Sequence, residues 1–299
     1  MVYHYTTIET FYNMLATYKG SDDKYHLEFW ASSILNQNDK EELSITAEDI
    51  MPVMKEIEKS IKKTLLTDLK KLSTIDYQWW VPTLTGQNVK ENMNEFFQNK
   101  YNIPYTISFS QNEDKLLMWA MYANNGNGVC LAFDENMIVN CNTYKFAVSD
   151  LVQYKKDSQY YKEIIKQYYD LYIQELGDEN VINIIYQLKR RYWACILMGI
   201  SPFFKNKAFE DEAEYRITYY VAGENIPPVF TRLTNRLNII NYIKVKIPLD
   251  ALKYIIIGPC ADFAHTKSLL IENMKVNGIV RDYDDGNFIR TSNVPYRSY

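Results

Sequence analysis

Glu212, Glu214 and Arg216 stand at every second position of the run Phe209-Glu210-Asp211-Glu212-Ala213-Glu214-Tyr215-Arg216. On a β-strand, side chains alternate between faces. A strand from Glu212 to Val221 therefore puts two carboxylates and a guanidinium on one face, with Tyr215, Ile217 and Tyr219 on the other. Such a face is either a solvated row of ion pairs, worth little to stability, or the polar wall of a site. Fixed carboxylates there have two chemical uses. They stabilise a developing positive charge, or they take a proton as a base. Two other polar groups sit on predicted strands upstream: Ser108 and Ser110 in Ser108-Phe109-Ser110, and His4 beside Tyr3 and Tyr5. Each alone is ordinary. A histidine among tyrosines on a first strand is as often a core residue as a ligand.

The elements that must position these groups are legible in outline. Val2 to Tyr5 reads as a first strand, with Thr6-Thr7 capping a helix from Ile8 to Tyr18. Leu27 to Ser32 is extended, and Asn36 to Glu42 is turn-like and then acidic. Pro52 to Leu72 reads as a helix, with Val53, Ile57, Ile61, Leu65 and Leu69 recurring every fourth residue. Its other face is lysine-rich and reads first as solvated, second as a rim attracting phosphates or an acidic partner. Trp79 and Trp80 read first as core anchors, second as a binding surface. Tyr105 to Ser110 is a strand, Asp114 to Ala123 a helix, and Asn124-Asn125-Gly126-Asn127-Gly128 a turn. Val129 to Phe133 is apolar throughout, as a central strand is. Ser158 to Leu176 and Asn180 to Met198 read as long helices. Ile243 to Ile247 and Tyr254 to Ile257 are strands, Phe263 to Val276 is a helix, and Ile279 to Tyr283 is a last strand. The expected class is α+β: one domain over 1–299, with helical insertions near 40–100 and 155–200.

Composition narrows the function classes. The 299 residues are 47% hydrophobic and 23% charged, as in a folded domain. The net charge of -4 gives no global attraction to nucleic acid. Four cysteines form no CxxC pair and only three histidines are present, so no metal site is expected. The start lacks a basic region followed by an apolar stretch, and the run from Tyr192 to Phe204 is broken by Gly199 and Pro202. The expected location is cytoplasmic, without membrane contact. No Gly-rich dinucleotide fingerprint and no Walker-type phosphate loop occur, which disfavours a dehydrogenase-type NAD site.

Together the motifs resemble a large, poorly characterised bacterial family. Its landmarks are Tyr3-His4-Tyr5-Thr6, Asn38-Asp39, Ser108-Phe109-Ser110, a Trp119-to-Tyr122 helix, Gly128-Val129-Cys130-Leu131-Ala132-Phe133, Glu212-x-Glu214-x-Arg216 and Pro295-Tyr296-Arg297. Phe209 departs from it, where a Trp is frequent. The order of motifs is similar to that of the ADP-ribosyltransferase superfamily, which has His on a first strand, Ser-x-Ser on a second and the catalytic Glu on a third. The resemblance implies a split β-sheet core and NAD as substrate without a metal. It gives Glu214 the stabilisation of an oxocarbenium-like ribose, and Glu212 the orientation or deprotonation of an acceptor. His4 holds a ribose hydroxyl or the nicotinamide amide. Ser108 and Ser110 position Glu214 and the ribose, and Arg216 pairs a carboxylate or reaches the pyrophosphate. Tyr5 or Tyr122 stacks on nicotinamide. The implied role is a bacterial toxin or anti-phage effector. Its acceptor is RNA, DNA or a protein side chain, and its neutralising partner an antitoxin or chaperone. NAD hydrolysis, and a non-enzymatic NAD- or ADP-ribose-binding or scaffold module, are the competing expectations. The enzyme readings require His4, Ser108 and Glu214 to face one side.

Overall fold

The computed structural model describes residues 1–15, 26–36, 104–140, 147–154, 159, 163, 201–220, 227–233, 239–279 and 286–297. The expected helix Pro52 to Leu72, Trp79-Trp80 and the helix Asn180 to Met198 lie outside these. So does the expected helix Ser158 to Leu176, apart from Gln159 and Glu163. Those two are helical and joined by an Nε2-to-Oε1 hydrogen bond of 2.9 Å. Of the expected strand Ile279 to Tyr283, only Ile279 is described, and it is not in a strand.

Contacts divide the chain into two compact units, Met1–Asn36 with Tyr105–Val152 and Ala208–Tyr299, and Gln37–Pro104 with Gln153–Lys207. In the second, Gln153 bridges Phe204 in parallel fashion. Its N–H donates to Phe203 O at 2.8 Å, and its carbonyl accepts from Lys205 N at 3.1 Å.

The first unit is built on a ten-stranded mixed sheet, and with its few helices the class is α+β. In chain order the strands are β1 (Val2–Thr6), β2 (His26–Ser33), β3 (Pro104–Ser110), β4 (Val129–Phe133), β5 (Ala147–Leu151), β6 (Glu214–Tyr220), β7 (Phe230–Leu233), β8 (Ile239–Pro248), β9 (Leu252–Ile257) and β10 (Ile289–Thr291). The helices are α1 (Ile8–Met14), α2 (Leu116–Tyr122), α3 (Glu135–Asn140) and α4 (Phe263–Val276). The spatial order is β10-β9-β4-β1-β3-β2-β8-β7, and β6 branches from β3 to carry β5. The β10–β9 pair is parallel; the other pairs with a described register are antiparallel.

Register sorts the side chains. Tyr3 lies opposite Ser110 and His4 opposite Leu131, so the two faces of β1 meet different company. On one face Tyr3, Tyr5, Cys130, Ala132 and Ile256 pack under Met118 and Trp119 of α2. The Tyr5 and Trp119 rings meet edge-on at 5.0 Å. On the other face His4, Phe29, Phe109 and Phe133 form an aromatic cluster with centroids 5.1 to 6.0 Å apart. β4 is buried at every position, as its apolar run requires. Burying Val129, Leu131 and Phe133 contributes about 1.5–3 kcal/mol each.

Two close approaches hold the end of the β4–β9 pair. A Cβ on Gly128 would lie 2.3 Å from Thr6 O, and one on Gly258 the same distance from Gly126 O. Only hydrogen fits at either position. The reward is a ladder in which Gly258 N donates to Gly128 O at 2.9 Å and Cys260 N to Gly126 O at 3.0 Å.

Candidate functional site

β6 begins at Glu214, not at Glu212. Residues Lys207–Glu212 form a 3-10 turn, and Ala213 between the two carboxylates has φ 43, in the left-handed region. An L-residue there carries strain of about 1–2 kcal/mol, which the surroundings must hold. The expected strand from Glu212 to Val221, with Glu212, Glu214 and Arg216 sharing one face, is therefore corrected. Only Glu214 and Arg216 alternate as strand neighbours; Glu212 is turned away by the kink.

That kink carries Glu212 toward two other motifs. Its backbone carbonyl accepts from Ser110 Oγ at 2.7 Å, and its Oε1 accepts from the Tyr122 phenol at 2.5 Å, the length of a charge-assisted bond. Ser110 Oγ also accepts from Asn112 N at 3.0 Å, and Gln111 N donates to Ala213 O at 2.8 Å. Ser110 and Glu212 are both buried. Lys115 Nζ reaches Asp211 through its carbonyl at 2.8 Å and its carboxylate at 2.9 Å. The end of β3, the start of α2 and the turn before β6 are thereby fastened at one place.

Glu214 and Arg216 form a forked pair. Arg216 Nε donates to Oε1 at 2.8 Å and the second terminal nitrogen to Oε2 at 2.9 Å. Glu214 is 4% exposed and Arg216 0%. Both oxygens of Glu214 are engaged. Asp150 stands opposite Arg216 in the β5–β6 register, while its carboxylate accepts from Leu151 N at 2.7 Å.

His4 goes elsewhere. The Tyr3–Ser110 pairing gives Tyr3, Tyr5, Ser108 and Ser110 one face of the sheet and His4 the other, between Phe29 and Phe109. Its Nδ1 lies 3.1 Å from Ser108 O. A carbonyl only accepts, so Nδ1 carries the proton in this bond. Burial lowers the His4 pKa, and the backbone bond to Ser108 opposes the shift. The ring thus favours the neutral form. His4 and the two serines do not face one side, because a neighbour pairing in β1–β3 sends alternate residues to opposite faces. Tyr5 is internal too: its phenol donates to Asn112 O at 2.9 Å and accepts from Lys115 N at 3.0 Å. Burial raises its pKa well above the phenol range.

A cleft of about 360 Å³ opens on the reverse face of β5–β6, lined by Gln111, Glu135, Asn136, Ser149, Asp150 and Tyr215 among others. Burial pushes the Tyr215 phenol up to about 12, with Ser149 opposing and Glu135 adding to the shift. Register puts Tyr215, Ser149 and Leu151 on one face and Glu214 and Arg216 on the other.

Sequence reasoning passed over Glu113 and Asp114. Asp114, at φ 52, accepts from Trp119 Nε1 at 2.7 Å, Ser292 Oγ at 2.5 Å and Asn293 N at 2.7 Å. Glu113 accepts from Tyr254 at 2.9 Å, and the Arg290 guanidinium lies 3.9 Å from the Tyr254 ring centroid. The polar Gln-Asn-Glu-Asp stretch after β3 was the only signal. Among the described residues no cluster of metal-ligating side chains is present, and no helix is long and apolar enough to cross a membrane.

Residues 118–217 match the model of a family described as a protein of unknown function, DUF2971. The matched stretch runs from α2 to β6. It takes in Tyr122, Glu212, Glu214 and Arg216, and leaves out His4, Ser108 and Ser110. No curated protein and no solved structure matches the chain.

Proposed function

We propose that this protein is an NAD-dependent ADP-ribosyltransferase whose working carboxylate is Glu212. The supporting observation is that three separate motifs meet on that residue: Ser110 of β3 at its carbonyl and Tyr122 of α2 at its side chain, beside the turn into β6. The strands bearing the motifs are also sheet neighbours, with β3 paired to both β1 and β6. In the reaction the bond from nicotinamide to ribose C1′ breaks, and nicotinamide leaves with the electron pair. A carboxylate stabilises the cationic ribose, and the acceptor forms the new bond as its proton passes to a base. Glu214 is a brace in this reading, because a guanidinium already compensates both its oxygens. His4 positions β1 and does not touch NAD. The acceptor is RNA, DNA or a protein, and the role is that of a toxin or defence effector with its own neutralising partner.

Two observations favour a non-enzymatic NAD- or ADP-ribose-binding or scaffold module instead. His4 and Ser108 face opposite sides of the sheet, against the one-sided arrangement that the enzyme readings require, and the Glu214–Arg216 fork is buried and complete.

The test is incubation of the protein with radiolabelled NAD together with RNA, DNA and cell lysate, for wild type and Glu212→Gln. Label on an acceptor, lost in the variant, supports the transferase and names the acceptor. Free nicotinamide and ADP-ribose without labelled acceptor assigns hydrolysis instead. Intact NAD throughout overturns both in favour of the module.

A further inference from the structure

We infer that the β2–β8–β7 end of the sheet is a binding platform for single-stranded nucleic acid. This end carries a continuous aromatic stack. Trp30 stacks on Tyr242 with centroids 4.5 Å apart and planes at 23°, and Tyr242 stacks on Phe230 at 5.6 Å and 27°. Register puts all three on one face: Ser32 lies opposite Tyr242, and Tyr242 opposite Phe230. Cations lie over both ends of the stack. The Arg232 guanidinium is 5.7 Å from the Trp30 centroid and Lys244 Nζ 5.1 Å from that of Phe230. Lys246 stands opposite Glu28 on the same face. Glu28 is the one acid in the group; it pairs with Lys244 at 2.9 Å and accepts from Trp30 Nε1 at 3.0 Å.

The chemistry of this face suits one occupant. A solvent-facing sheet surface is ordinarily polar, yet here Trp30 is 40% exposed, over a half-buried Phe230 and a Tyr242 buried between the two. Arg232 is exposed and has no carboxylate partner among the described residues. Among the described residues this face carries Arg232, Lys244 and Lys246 with Glu28, on a chain of net charge -4. Aromatic rings with interleaved cations recognise bases by stacking and the backbone by its phosphates, without reading sequence. A duplex hides its base faces and gains nothing from the rings. An acidic protein would use the cations but not the rings. The platform lies at the opposite end of the strand order from β9 and β10 and needs no NAD chemistry to function.

The experiment is fluorescence anisotropy of the full chain with short labelled RNA and DNA strands and the matching duplex, at roughly 50 and 200 mM salt. Expected is binding of the single strands over the duplex, with quenching of tryptophan emission. Trp30→Ala weakens it about tenfold. Arg232→Ala, at an exposed position that leaves the fold intact, lowers the salt slope by about 0.7. Four outcomes overturn the inference: no binding at low salt, a preference for duplex, binding indifferent to both substitutions, or sedimentation showing that the face pairs two copies of the chain and excludes the oligonucleotide.

Discussion

One face of one sheet carries two unlike regions. Over β1, β4 and β9 it is roofed by α2, and its polar groups are consumed internally: Tyr5 by Asn112 and Lys115, and Trp119 by Asp114. Over β2, β8 and β7 it has Trp30 in solvent and a guanidinium resting on its ring. Each region combines aromatics with charge. The difference lies in what answers the charge. Under α2 it is answered by hydrogen bonds of 2.5 to 3.0 Å, and the groups there specify structure. At the open end it is answered, among the described residues, by an aromatic stack and one half-buried ion pair, and the exposed Arg232 has no carboxylate partner. Polar residue types thus do not mark a site by themselves; a site needs polarity the fold has not used.

Substitutions sharpen this contrast, and the largest effect is expected at the buried fork. Arg216→Met leaves Glu214 without its guanidinium and is expected to cost about 3–5 kcal/mol, read by urea unfolding. The double variant Glu214→Gln with Arg216→Met should recover most of that loss. A cost below about 1 kcal/mol for the single variant would mean the fork is not what holds Glu214. Asp114→Ala comes next, at about 2 kcal/mol. It orphans the indole N–H of the fully buried Trp119 and frees Ser292 and Asn293. Limited proteolysis should then cut near 289–297 first, and cleavage elsewhere would deny Asp114 its role as anchor.

How much of this was legible depended on where local signals agreed with tertiary demands. β4 and α4 stand where they were expected, β4 on its apolar run and α4 over Phe263–Val276, where the structure adds an Asp262 side chain capping His265 N. The start of β6 was misplaced because nothing in an alanine announces a left-handed φ; tertiary bonds at Ser110 and Gln111 impose it on Ala213. The helix expected from Asp114 starts at Leu116 for a related reason, since Asp114 is spent on the C-terminal segment. β5, β7 and β10 escaped notice. Ala-Val-Ser-Asp-Leu and Phe-Thr-Arg-Leu lack a continuous apolar signal, and β10 has three residues. Of the site, the contacts of Ser110 and Tyr122 with Glu212 were not legible, because motif order pointed Ser110 at Glu214 and Tyr122 at nicotinamide, and the kink at Ala213 gives them Glu212 instead. Nor was the orientation of His4, because a one-residue choice of register decides which face it takes.

His4 gives a smaller, pH-dependent effect. Its pKa is lowered in the folded chain, so the unfolded chain binds the proton more readily. Stability therefore falls as pH drops below about 6.5, the unfolded value, and levels off below the folded one. The slope from this one group is at most about 1.4 kcal/mol per pH unit. His4→Asn keeps a donor for Ser108 O and removes the titration. Its unfolding free energy should be flatter than wild type between pH 7 and roughly pH 5. Parallel curves would show that His4 is charged, or equally solvated, in both states.

The smallest stability effect is expected where the largest binding effect is. Arg232 is exposed on β7 and its contact is with the Trp30 ring, so Arg232→Glu should shift the unfolding free energy by no more than about 0.5 kcal/mol. Trp30→Ala removes one cross-strand stack, about 0.2–1 kcal/mol. If either costs more than about 2 kcal/mol, the outer stack is part of the core and the contrast between the two regions collapses. If both are near neutral while Arg216→Met is severe, one sheet face holds its charge in two states, spent under α2 and unspent beyond β2.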